Sequence, residues 1–128
     1  MAAAGPGTRN YEGQVALEPD SSVTFKVRKK KNGAKKVKRV AFAGVTAGCF
    51  AEGVHTQVGG AIPGSDKAKK GKFKLTHSDP AQQITFSGEL KSRGKAASGT
   101  LRFSGMVVVD GTTRTCDTGP RTWSAERV

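Results

Sequence analysis

The chain has 128 residues, with 22 lysines and arginines against 10 acidic residues, for a formal charge of +12 at pH 7. That length is one ordinary domain. The apolar fraction is 35% before the 17 glycines are added, so a packed core is expected and wholesale disorder is not. No apolar run is long enough for a membrane-spanning helix. The charge argues for attraction to anions and says nothing about fold.

The opening Met1-Ala2-Ala3-Ala4-Gly5-Pro6-Gly7 lacks a charged stretch followed by an apolar one, so as it stands it is not a signal peptide. Its small residues suit a mature exported chain with an added initiator Met. Residues 1–8 are expected to be a flexible segment and 9–128 the domain.

Period two dominates from Tyr11 onward. In 23–28, Val23, Phe25 and Val27 fall on one side while Thr24, Lys26 and Arg28 fall on the other, as in a half-buried strand. A polar stretch with Asn32-Gly33 follows, and 37–45 returns with Val40 and Phe42 as apolar markers. Asn-Gly supplies positive-φ positions cheaply, so the pair reads as a hairpin with a long basic tip. Further strands are expected at 72–76, 83–90, 97–103 and 122–127. Glycine recurs too often for helices of useful length. About eight short strands with turn signals between them predict an all-β domain, an antiparallel β-sandwich of jelly-roll or immunoglobulin-like type.

Phe25, Phe42, Phe73, Phe86 and Phe103 each fall in phase with the apolar side of their strand and are expected in the core. Each would contribute roughly 2–3 kcal/mol by burial. Trp123 also falls on an alternating strand where a buried position is expected. No aromatic platform is left for stacking bases or sugars, so surface recognition must be electrostatic or polar.

Cys49 and Cys116 have no ligand cluster around them, and His55 and His77 do not supply zinc spacing. Two readings remain open: a pair of buried thiols, or one long-range disulfide. A disulfide closing nearly seventy residues would contribute on the order of 4 kcal/mol in the chain-entropy model.

A family resemblance rests on residues in this order: Tyr11-x-Gly13; Val23-Thr24-Phe25-Lys26-Val27; a lysine-rich hairpin; a strand leading to Cys49; Gly71-Lys72-Phe73; Phe86-Ser87-Gly88; Ala97-Ser98-Gly99-Thr100-Leu101; Cys116-x-x-Gly119; and Trp123-x-Ala125. The chain from 9 to 127 resembles small exported β-sandwich proteins of actinobacteria and related high-GC soil bacteria. The resemblance implies export, a Cys49–Cys116 bridge, and a secreted or cell-surface location. It implies no catalytic residues.

Charge is distributed unevenly. Nine basic residues lie from Lys26 to Arg39, seven of them lysine, and no acid occurs between Asp20 and Glu52. If every connection reverses the chain, connections two, four and six (29–36, 64–71 and 92–95) share one pole. That pole would hold Lys29, Lys30, Lys31, Lys35, Lys36, Lys67, Lys69, Lys70, Arg93 and Lys95. Glu18, Asp20, Glu52, Asp79, Asp110 and Asp117 would lie at the opposite pole, with Asp66 the single acid on the basic side. The same parity places Cys49 and Cys116 at the acidic pole, which permits the bridge.

Several motifs are set aside. Gly64 to Lys72 has the wrong spacing for a P-loop and no Ser or Thr after Lys72. There is no G-x-S-x-G elbow. His55 and His77 have no sequence-visible partner. Glu18 with Asp20, and Asp110 with Asp117, read as turn residues bonding local backbone, not as paired catalytic acids. No cofactor, metal site or catalytic residue is expected.

The function expected is a non-enzymatic secreted or cell-surface interaction module whose basic pole takes an anionic cell-wall polymer or polysaccharide. Membrane insertion is not expected. Solvation alone would account for lysine-rich tips on an edge-exposed β protein. Two rival functions compete with this one. The first is a structural subunit joined by edge-strand pairing. The second is a nucleic-acid-binding β-barrel, which would need outward aromatics on central strands.

Overall fold

The structure, a computed structural model, describes residues 7–50 and 53–128. The chain is all-β, in nine antiparallel strands: β1 (Gly7–Val15), β2 (Glu18–Lys29), β3 (Lys35–Cys49), β4 (His55–Ala68), β5 (Lys72–Ser78), β6 (Gln82–Lys91), β7 (Ala96–Val109), β8 (Thr112–Asp117) and β9 (Arg121–Arg127). They form one sheet in the order β4-β3-β2-β1-β9-β7-β6-β5. β8 pairs with both β3 and β7, so the hydrogen-bonded path from β3 through β2, β1, β9, β7 and β8 returns to β3.

Alternation drives this arrangement, because each strand must turn one side to an apolar interior. Phe25, Phe73, Phe86 and Trp123 meet there, with Phe25 ring centroids 4.8 Å from Tyr11, 5.8 Å from Phe73, 5.9 Å from Phe86 and 5.5 Å from Trp123. Phe42 and Phe103 pack edge-on at 6.5 Å toward the other end. All five expected core phenylalanines and Trp123 are buried. The indole lies over the backbone of Gly88, where a Cβ would stand 2.5 Å from the ring. Its Nε1 donates to the Ser87 carbonyl at 3.2 Å, which satisfies the one polar atom of the buried ring.

β3 is long enough to need bending. Its register slips at Arg39 and again near Gly44, both at positive φ, 54° and 70°. Such bulges add twist and let a strand curve. At Gly44 a side chain would also meet the Asp20 carbonyl at 2.8 Å.

Three expectations need correction. Strand pairing begins at Gly7, opposite Lys29, so Gly7 and Thr8 belong to the sheet and not to a flexible leader; residues 1–6 lie outside the described residues. β7 runs on to Val109, and β8 follows after a tight Asp110-Gly111 turn; neither feature was expected. Finally, β8 and β9 run in the same direction along one edge of β7. Ser104 pairs with Asp117, and Leu101 with Arg121. Between them Thr118 bonds both backbone groups of Phe103, N–H to carbonyl at 2.9 Å and Oγ1 from the N–H at 2.9 Å. Residues 118–120 are therefore a bulge where the chain changes its outer partner from β3 to β1. Reversal at every connection fails here, but the earlier connections keep their parity.

Candidate anion-binding face

Connections two, four and six are residues 30–34, 69–71 and 92–95. The structure brings them together at one pole. Lys35 at the base of the first pairs with Ala68 at the base of the second. The Leu90 N–H donates to the Gly71 carbonyl at 2.8 Å, tying the second to the strand that enters the third. A side chain at Gly94, in the third, would meet the Lys35 ammonium at 3.7 Å. The Tyr11 hydroxyl donates to the Gly94 carbonyl from inside the core, and burial raises its pKa above the ordinary phenol value.

Each expected pole residue can be placed. Lys30 and Lys31 occupy the first tip, with Lys29 and Lys35 facing each other at its base. Lys69 and Lys70 form the second tip with Gly71, and Arg93 and Lys95 belong to the third. Lys36 and Lys67 are not on tips. They sit directly opposite each other on β3 and β4.

This last pair belongs to a larger array on the outward side of the sheet. One row crosses four strands as Thr8, Arg28, Lys36 and Lys67. The next row is Asn10, Lys26, Lys38 and Ser65. Lys26, Arg28 and Lys38 are therefore part of the candidate site although sequence reasoning assigned it only the tips. The register is set by the turn itself, which amino-acid order alone does not fix: Lys30 N–H bonds the Ala34 carbonyl at 2.8 Å, and Ala34 N–H bonds Asn32 Oδ1 at 2.9 Å. Counting outward from that Asn-Gly turn pairs 29 with 35, 28 with 36 and 26 with 38.

Among the described residues, no lysine takes part in an ion pair; the three close pairs are His77–Asp79, Arg102–Asp117 and Arg121–Glu18. Asp66, the one acid expected at this pole, does not neutralise the array. It pairs with the inward Val37, and its carboxylate accepts the Lys74 N–H of β5 at 2.8 Å.

The acids are more dispersed than parity predicted. Glu12 and Glu126 face each other across β1 and β9, and Glu89 lies opposite Lys72 on β5. All three border the basic half of the molecule, but none lies on β2, β3 or β4. At the far pole, Glu18 is no local turn residue: its Oε1 accepts the Thr46 N–H of β3 at 2.7 Å. Asp117 is likewise no simple turn residue. Arg102 holds it with two bonds of 3.1 and 2.7 Å, and that guanidinium, with the Gly119 N–H, keeps its carboxyl below the usual range against the opposing effect of burial. Asp79 does behave as a turn residue. The Ala81 N–H, then His77 and the Gln82 N–H, lower its pKa. His77 thus has a partner two residues away, at 2.9 Å; His55 is exposed on the edge strand β4. Asp20 and Asp110 are exposed, and Glu52 lies outside the described residues.

Cys49 and Cys116 form a disulfide across 67 residues, joining directly opposed positions of β3 and β8. It sits toward the pole away from the lysine tips, as parity permitted. Such bridges persist in oxidising compartments. No helix among the described residues is long and apolar enough to cross a membrane, and no group of three His, Cys, Asp or Glu residues there is placed to hold a metal ion. No family model, curated protein or solved structure matches this chain.

Proposed function

We propose that this protein is a secreted or cell-surface binding module, acting without catalysis, whose β2–β3–β4 face and adjoining tips hold an acidic polysaccharide or phosphate-bearing wall polymer. The observation that carries this reading is the direct cross-strand opposition of like charges: Lys26 with Lys38, Arg28 with Lys36, and Lys36 with Lys67. Like charges directly opposite one another on a sheet destabilise it. Solubility needs cations somewhere on the surface, but it does not need them stacked in two rows in which, among the described residues, no lysine is ion-paired. A linear polyanion laid across the rows supplies the missing charge and releases its own condensed ions.

The chemistry favours diffuse charge over base reading. Lysine outnumbers arginine in the array, and lysine acts as a point charge where arginine forms a two-pronged fork. Phe50 is the exposed aromatic among the described residues, and it lies beside the far-pole strand β8, so stacking of single-stranded bases has no platform on this face. The disulfide supports the extracellular setting.

Binding to heparin and to a teichoic-type polymer, measured by calorimetry across a salt series, tests the reading. The affinity should fall linearly on a double-logarithmic salt plot. Lys36→Glu with Lys67→Glu should weaken it by at least about tenfold, while the same charge change at Lys74 and Lys91 should matter much less. Absence of binding at low salt, or equal losses in both double variants, would overturn the assignment. A duplex DNA arm that binds more tightly than either polymer would move it to nucleic acid.

A further inference from the structure

The far pole carries an edge of a different kind. β7 is flanked by β6 only as far as Gly105, opposite Gln82, with one more bond from the Met106 N–H to the Ala81 carbonyl at 2.9 Å. Beyond that point no described strand runs along this side of β7. Backbone groups of a strand alternate in direction, so Val108, like Met106, points its N–H and carbonyl toward this open side. On the other side, Val107, Val108 and Val109 pair with Arg114, Thr113 and Thr112 of β8.

The side chains suit pairing with another strand. Met106 and Val108 are 58% and 67% exposed. Residues 104–115 contain no proline or lysine, and their only charges are Asp110 and Arg114. The outer sheet edges are guarded in the usual ways: β4 carries Pro63, and β5 carries Lys72 and Lys74, with the Lys74 N–H already held by Asp66. The base of the hairpin is fixed by the bridge at Cys116, which pairs with Gly105, so little order is lost when a partner adds.

We propose that the β7 edge of this hairpin is a self-association site, on which a second copy of the chain adds its own β7 edge antiparallel. Two-fold symmetry sets Val108 opposite its equivalent, the two exchanging both backbone bonds. Symmetry selects this occupant: a two-fold through Val108 matches the free N–H of one copy with the free carbonyl of the other, and residues 104–115 bring no lysine to the join. A molecule of +12 repels its own copies, and joining through the pole away from the lysine tips keeps the two basic arrays farthest apart. The site is separate from the polymer-binding face, and its test needs no polymer.

Sedimentation equilibrium at about 1 M salt, where charge is screened within about 3 Å, should show a monomer–dimer equilibrium between micromolar and millimolar protein. Val108→Lys should raise the dissociation constant at least about tenfold. Leu17→Lys, at an exposed apolar position outside the hairpin, should leave it unchanged. In the unsubstituted protein, the Val108 amide should become protected from hydrogen exchange as concentration rises. A monomer throughout the range, a dimer indifferent to Val108→Lys, or a Val108 amide that exchanges equally fast at both ends of the range would overturn the proposal.

Discussion

Arg93 has a φ of 58°, between Ser92 at 53° and Gly94 at 84°. A side chain in the left-handed region costs of order 1 kcal/mol, and here two consecutive non-glycine residues accept it. The gain is placement: this turn brings Arg93 to the pole where the lysine tips meet. Arg93→Gly is therefore expected to leave stability unchanged or raise it by up to about 1 kcal/mol in urea unfolding, while weakening polymer binding. A clear loss of stability would show that the arginine serves the fold instead. Asp117 supplies a second test at this scale. Arg102 holds its carboxyl below the usual range, so its folded value lies under its unfolded one. Its contribution is complete above about pH 4 and is lost as pH falls through the folded value. Asp117→Asn should flatten the decline of the urea midpoint on the acid side and leave its shape near neutrality unaltered.

Among the elements, strands with an aromatic in phase are legible from the amino-acid order. Residues 23–28 and 83–90 alternate without interruption, and β2 and β6 enclose them. β8 is not legible in that way, because Thr112, Thr113, Arg114 and Thr115 present no apolar side. Its pairing is fixed by the Asp110-Gly111 turn and by Cys116. The bulges at Arg39 and Gly44 are hidden for a related reason: a slip in register depends on the neighbouring strands, not on β3 alone. The basic tips were legible as clusters, whereas the rows across β2, β3 and β4 required the register. β8 meets β3 at only two positions, Gly48 opposite Asp117 and Cys49 opposite Cys116, so the seam depends on the bridge. Replacing both cysteines with serine is expected to cost about 4 kcal/mol for a loop of this length. Hydrogen exchange should then show the amides of β8 losing protection before those of β2. Uniform loss across the sheet would show that the seam is no weaker than its surroundings.

For the whole molecule, parity of reversals was enough to gather three separated segments at one pole, and the single violation at 118–120 comes after all of them. What parity could not show is that the charge spreads from the pole down one side of the sheet. Glu12 and Glu126, on β1 and β9, mark where that side ends. The molecule is thus polarised twice, from end to end and from one side of the sheet to the other. A polymer bound on β2–β4 and a second copy added at β7 would occupy different ends and should not compete.

The cystine encloses everything from β4 through the greater part of β8. Two of the three lysine-bearing turns, 69–71 and 92–95, fall inside that covalent circle, and 30–34 falls outside it. A trypsin-like protease that nicks either enclosed turn leaves both pieces tethered through sulfur, so the cut molecule stays one covalent species, heavier by a single water, until a reductant arrives. Cleavage at 30–34 has no such safeguard, and the amino-terminal piece would then be held by strand pairing and core packing alone.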